Sequence, residues 1–240
     1  MDVKAVEVAG LWRFFGQTPV LRNVELTVEE GVVFGVIGPN GAGKTTLFRI
    51  LATLLKPSRG EAKVFGKDVL KEPAEARKLV SYLPEDAGVY KHLTGLSFLK
   101  MMKTLYNMDA SAVERGAAVS GLGEALGRKM GEYSKGMRRR ILLASCLMVK
   151  PRLAILDEPT AGLDVEHSVY VRQVIKQYSA EGTTFLVSSH NMLEVSYLCD
   201  VIALINKGMI VDCGRPRQLL ESHGVENLEE LFVKKVGGLA

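Results

Sequence analysis

The 240-residue chain is 47% hydrophobic and 24% charged, with 31 basic against 27 acidic residues and a net charge of +4. At about 150 residues per domain this length makes one or two domains with a sizeable core, and the composition excludes a disordered chain. So mild a charge gives no ground for nucleic acid as a partner. Cys146, Cys199 and Cys213 show no Cys-x-x-Cys spacing, which argues against a disulfide framework or zinc site and for a reducing cytosol. The longest apolar run, residues 141–149, is half of the ~18 residues that span a bilayer. The first ten residues lack a signal-peptide core, so a chain that neither spans a membrane nor leaves the cytosol is expected.

In chain order, residues 4–8 and 24–28 alternate as half-buried strands, and residues 32–37 form a nearly continuous apolar run. Such a run predicts a strand covered on both faces, as in a parallel sheet. A glycine-rich turn and a helix over residues 43–55 follow, stopped by Pro57-Ser58-Arg59-Gly60. A strand is expected over residues 80–84. The middle then changes character: Leu96, Leu99, Met102, Leu105 and Tyr106 recur at helical spacing, a second helix is predicted over residues 112–126, and a third from near Ser134. After Pro151, strands at 153–156, 184–188, 201–205 and 209–211 alternate with helices at 165–179 and 191–198, and two short helices follow Pro216. That order predicts an α/β core, residues 1–85 and 150–215, carrying a helical subdomain at 86–149 and a tail at 216–240.

Gly38-Pro39-Asn40-Gly41-Ala42-Gly43-Lys44-Thr45 fits G-x-x-x-x-G-K-[ST], placed between a buried strand and a helix. Glycines let backbone N–H groups curl around phosphate oxygens, and the helix start adds partial positive charge. Lys44 would neutralise the β- and γ-phosphates, the Thr45 hydroxyl would ligate Mg²⁺, and Thr46 would help hold phosphate. Further on, an apolar strand ends in Asp157-Glu158, at the sheet edge where ligands bind. Asp157 would hold the metal, and Glu158 would take a proton from the attacking water.

With Tyr133-Ser134-Lys135-Gly136-Met137 and Arg138-Arg139-Arg140 shortly before Asp157, the chain resembles the nucleotide-binding subunit of an ABC (ATP-binding cassette) transporter. Ser134 and Gly136 match the Leu-Ser-Gly-Gly-Gln signature; Tyr133, Lys135 and Met137 depart from it. Ser134 is a good N-cap for a helix facing an anion. The resemblance covers residues 3–237 and implies a P-loop ATPase fold, a mainly parallel core with N-terminal antiparallel strands and an inserted helical subdomain. It also implies that Ser134, Lys135 and Gly136 bind the γ-phosphate of ATP held by an opposite subunit. Ala161-Gly162-Leu163-Asp164 matches the D-loop, with Asp164 at the dimer contact, and Ser188-Ser189-His190 matches the switch histidine near the γ-phosphate. Residues 11–16 match the segment that stacks an aromatic on adenine, assigned to Phe15, with Phe14 or Trp12 as alternatives. Glu85 stands where the family usually has a glutamine, and is expected to serve as the Mg²⁺ sensor.

The resemblance thus implies ATP and Mg²⁺ as cofactors and a second ATPase subunit, identical or similar, completing two sandwiched sites. It further implies a transmembrane permease subunit that holds the chain at the cytoplasmic face of the membrane. The Leu-Pro-Glu and Tyr-Ser-Lys-Gly-Met variants and the closing residues 227–232 resemble the subgroup that energises exporters of drugs, lipids, polysaccharides or sodium. The alternative is a soluble, non-transport ABC ATPase acting on nucleic acid or ribosomes. The pattern at 134–137 and the lack of an Asn-Lys-x-Asp motif argue against a kinase or GTPase. Glu158 and His190 argue against a degenerate partner that only binds ATP.

Overall fold

The computed structural model describes residues 4–236; residues 1–3 and 237–240, the ends of the expected cassette, lie outside the described residues. Strands β1 (Lys4–Phe15) and β2 (Thr18–Glu29) form an antiparallel pair. In β2 the buried residues Val24, Leu26 and Val28 alternate with exposed ones, while Asn23, at φ +49°, resets the alternation after Leu21. β3 (Val33–Ile37) is buried throughout and runs into α1 (Lys44–Leu51). That helix ends four residues before the expected Leu55: Ala52 leaves helical geometry and Thr53 turns to φ +60°.

The next elements, β4 (Arg59–Val64), β5 (Lys67–Asp68) and α2 (Pro73–Leu79), were not expected, because Arg59-Gly60-Glu61 carries no apolar alternation. β4 forms because β1 offers its free edge, pairing Val6 with Val64 and Val8 with Ala62. The small sheet has the order β2-β1-β4-β5.

β6 (Val80–Leu83) leads to the helices α3 (Gly95–Leu105), α4 (Ala112–Ser120) and α5 (Lys135–Leu147). The single helix expected over 112–126 is instead broken at Gly121, which caps α4 at φ +56° and is followed by a 3₁₀ turn at Gly123–Gly127. A Cβ at Gly121 would run into the Tyr170 hydroxyl and the Arg140 guanidinium, so the break is built into the packing.

The chain then alternates through β7 (Leu153–Leu156), α6 (Val165–Ala180), β8 (Thr184–Ser189), α7 (Met192–Leu198) and β9 (Val201–Asn206). It closes with β10 (Met209–Gly214), α8 (Pro216–His223) and α9 (Leu228–Val236). The large sheet has the order β10-β9-β3-β8-β7-β6, parallel except for the edge strand β10. Its two faces carry separate cores. One packs Phe34, Val36, Ile155 and Leu186 against α1 and the small sheet; the other packs Leu83, Leu156, Phe185 and Leu204 against the helical layer. Each fully buried Leu, Ile or Phe contributes about 1.5–3 kcal/mol. With both faces of β3, β7 and β8 filled, the C-terminal ends of these strands are held as a rigid platform.

Candidate active site

Three neighbouring strands, β3, β8 and β7, deliver the loop 38–43, His190 and the Asp157-Glu158 pair to one edge of the sheet. Gly41 and Gly43 take φ of +78° and +110°, which L side chains rarely adopt. At Gly43 a Cβ would also lie 2.7 Å from Leu21 Cδ2, and at Gly38 it would run into the Ile205 carbonyl. The loop therefore has its shape only because glycine stands there. Residues 39–46, together with Val20, Glu85, Asp157 and Glu158, line a cavity of about 270 Å³. The structure thus brings Pro39, Asn40, Gly41, Ala42, Gly43, Lys44, Thr45 and Thr46 together around one cavity.

Lys44 is buried, and its Nζ donates to the carbonyls of Gly38 at 2.6 Å and Pro39 at 3.3 Å. It lies 3.9 Å from Glu158 Oε1. Glu158 is only 6% exposed, and its Oε1 has no hydrogen-bond partner among the described residues. Its other oxygen, Oε2, is 2.9 Å from His190 Nδ1. The carboxylate therefore keeps one oxygen free toward the phosphate loop while the imidazole holds the other. Glu158 also has φ +48°, an uncommon conformation for a residue with a side chain.

Asp157 sits beneath. Its Oδ1 accepts from the Ser188 hydroxyl at 2.6 Å, whereas Oδ2 receives only a long 3.5 Å contact from the Tyr82 hydroxyl. Burial pushes the Tyr82 phenol pKa up, with the Asp157 charge adding to it. Asp157, Thr45 and Glu85 line the same cavity. Among the described residues no group of three or more His, Cys, Asp or Glu side chains could hold a metal by itself. Two acids and a hydroxyl fit a magnesium ion, which binds through one or two carboxylates plus substrate phosphates and waters.

The other expected site residues lie apart from this cavity. Phe15 is exposed at the end of β1, with the Arg13 guanidinium 4.6 Å from its ring centre, while Trp12 and Phe14 stack on each other at 5.7 Å. Ser134 caps α5, its Oγ accepting the Met137 amide at 3.1 Å. A Cβ at Gly136 would meet the His167 ring, and Lys135 reaches Gly162. Asp164 caps α6 and holds His167 through both its amide and Nδ1. Hydrogen bonds from the His167 amide and ring keep the Asp164 carboxyl below its usual range.

Sequence reasoning missed three participants. Ser188 bridges the acid pair, and Tyr82 reaches Asp157. Glu194 is buried, accepting from the Thr160 hydroxyl at 2.6 Å and the Ser189 hydroxyl at 3.1 Å. Ser188 stood inside the motif ending in His190, and its place at a strand end was the available signal.

A family profile described as ABC transporter matches residues 21–161, more than half of the chain. The chain belongs to the ABC transporter family. It is an ATP-binding subunit of that family, with the P-loop ATPase fold. The ABC transporter ATP-binding protein NatA of Bacillus subtilis is 37% identical over 221 residues, covering 90% of both chains. The daunorubicin/doxorubicin resistance ATP-binding protein DrrA of Streptomyces peucetius is 40% identical over 225 residues, 92% of this chain and 68% of that protein. A solved ATP-binding subunit of an ABC transporter superposes with a TM-score of 0.86 at 26% identity, over 96% of this chain and 98% of that one. ABC ATPases bind and hydrolyse ATP and work with a partner subunit, and the phosphate cradle and acid pair are the parts such chemistry requires.

Proposed function

We propose that this chain hydrolyses ATP at the junction of the loop 38–46 with Glu158, and that a second ATPase subunit completes the site. The observation that carries the reading is the free, buried Oε1 of Glu158 facing Lys44 at 3.9 Å. A buried carboxylate oxygen without a donor is costly unless a ligand uses it. Water at that oxygen attacks the γ-phosphorus as its proton passes to Glu158, the bond to the β-phosphate oxygen breaks, and ADP and phosphate remain. Lys44 exchanges its loop carbonyls for phosphate oxygens. His190 orients Glu158 and reaches toward the γ-phosphate. A divalent cation at Thr45 and Asp157, with Glu85 beside it, would supply further charge neutralisation.

Ser134, Lys135 and Gly136, outside their own subunit's cavity, serve the nucleotide of the opposite subunit, with Asp164 at the contact. Phe15 is the aromatic proposed for adenine; its ring already carries Arg13 on one face, leaving the other for a base. ATP closes the pair and hydrolysis opens it. The movement drives a separate transmembrane permease, at the cytoplasmic face of the membrane. No described helix is long and apolar enough to cross a membrane, so the membrane work falls to that partner. Export is favoured because relatives carry names such as daunorubicin/doxorubicin resistance and linearmycin resistance ATP-binding protein. The same names favour transport over action on nucleic acid or ribosomes.

Equilibrium binding of Mg-ATP and steady-state hydrolysis by the purified chain test the reading. Saturable binding that Lys44→Ala abolishes supports it. A folded chain that binds no ATP overturns it.

A further inference from the structure

The run Arg138-Arg139-Arg140 lies in the first two turns of α5, and its three side chains part company. Arg138 donates to the Gly131 carbonyl at 3.0 Å. Arg140 donates to the Ser120 carbonyl at 2.8 Å and lies 3.9 Å over the Tyr170 ring. Arg139 turns inward and is only 8% exposed. Its Nε donates to Pro159 O at 2.9 Å, Nη1 to Pro84 O at 2.8 Å and Glu85 O at 3.3 Å, and Nη2 to Asp157 O at 2.7 Å and Glu158 O at 2.9 Å.

These five contacts match the five N–H donors of a guanidinium. All of these hydrogen bonds go to backbone carbonyls; the charges of Asp157, Glu85 and Glu158 act on the buried guanidinium as well, without a direct ion pair among the described residues. Burying a charge is expensive unless every donor is satisfied, and a shorter apolar side chain would leave these carbonyls without a donor. What the arrangement supplies is geometry. The carbonyls of Asp157 and Glu158 converge on one nitrogen while Glu158 holds φ +48°. Nη1 ties the loop after β6, which carries Glu85, to the same point. Arg139 does not line the phosphate-loop cavity; it borders a separate one shared by Glu85, Lys135 and Glu158.

We propose that Arg139 is a positioning residue for hydrolysis, holding the backbone of Glu158 and Glu85 so that the general base meets the attacking water. The proposal rests on the ATPase reading above. It also gives the start of α5 two tasks: Ser134 at its cap serves the neighbouring nucleotide, and about one turn further Arg139 sets the base of its own subunit.

The test uses the full chain with Arg139→Gln, which keeps two donors on a shorter stem, and Arg139→Lys, which keeps the charge and three donors. Turnover of Mg-ATP is normalised to sites that bind a fluorescent ATP analogue, whose Kd is measured directly. Arg139→Gln should lower kcat by about tenfold or more, because a misplaced catalytic group costs up to ~100-fold. Its Kd should stay within about threefold of wild type, and Arg139→Lys should restore part of the lost rate. Three results overturn the proposal: kcat unchanged in Arg139→Gln, kcat and affinity falling in parallel, or both variants recovered only unfolded. Glu158→Gln, run alongside, separates the two readings. Wild-type turnover that survives Glu158→Gln sinks the general-base reading on which the role of Arg139 rests. Turnover lost in Glu158→Gln and kept in Arg139→Gln sinks only the role of Arg139.

Discussion

The Ser188 hydroxyl donates to Asp157 Oδ1 at 2.6 Å while its oxygen accepts the Glu158 amide at 2.9 Å. One side chain at the end of β8 thus decides which Asp157 oxygen stays free and supports the left-handed turn at Glu158. From the opposite side Arg139 holds the carbonyls of the same two residues. The acid pair is fixed by its backbone, so its side chains can serve a ligand rather than the fold.

Glu158→Gln should bind ATP with near wild-type affinity, since Lys44 and the loop 38–46 are untouched, and should hydrolyse it about 10²–10⁴-fold more slowly. The amide keeps the shape and loses the proton acceptor. Size-exclusion chromatography should show the variant accumulating as an ATP-bound dimer. Wild-type turnover in this variant would contradict the role of Glu158.

The parts legible in the sequence were those where chemistry and periodicity coincide. The buried run of β3, the glycine loop behind it and the acids after β7 could be read because a parallel strand is apolar throughout and a phosphate cradle needs glycine. β4 could not: its residues Arg59, Gly60 and Glu61 are exposed, and only the free edge of β1 makes them a strand. Gly121 broke a helix expected to run to Leu126 because Tyr170 and Arg140 occupy the space of its Cβ. Arg139 was hidden among three like charges, since its inward turn depends on carbonyls delivered by β6 and β7 from far along the chain.

Ser134→Arg should spare ATP binding by the monomer and abolish hydrolysis that rises more than linearly with protein concentration. The bulky cation would block the approach of an opposite nucleotide. Loss of the Met137 cap at the same position costs about 1 kcal/mol, too little to unfold the chain. A rate linear in concentration and equal in both proteins would argue against the sandwich.

Asp212 links β10 to both closing helices, 2.7 Å from His223 Nε2 in α8 and 3.0 Å from Lys235 Nζ in α9. Burial pushes its carboxyl up, but hydrogen bonds from Lys235, His223 and the Cys213 amide outweigh this and hold it below the usual carboxylate range. The stability it contributes is therefore complete above an unfolded value of ~3.9 and disappears as pH falls through the lower folded value. Asp212→Asn should weaken amide protection in α9 by up to about fivefold at pH 7, equivalent to ~1 kcal/mol. The difference should vanish toward pH 2. Equal protection at pH 7 in both proteins would remove Asp212 as the anchor.

Glu85 lines the same cavity as Thr45 and Asp157, and its own carbonyl is held by Arg139 at 3.3 Å. A carboxylate there is repelled by a γ-phosphate, and a divalent cation between them turns the repulsion into two attractions. Two unit charges ~4 Å apart interact by about 4 kcal/mol at an effective dielectric of 20, which exposure at Glu85 reduces severalfold. Metal-free ATP should therefore be penalised, and Glu85→Gln should relieve the penalty by offering a neutral oxygen of nearly the same shape. Titrating a fluorescent ATP analogue with excess Mg²⁺ and with chelator reads the affinity gap directly. In Glu85→Gln the gap should narrow by about fivefold, mainly through tighter metal-free binding. Raising ionic strength should shrink the difference between the two proteins, because the repulsion crosses solvent. An identical gap in both would place the Glu85 carboxylate away from the metal and leave only its backbone, through Arg139, as a participant.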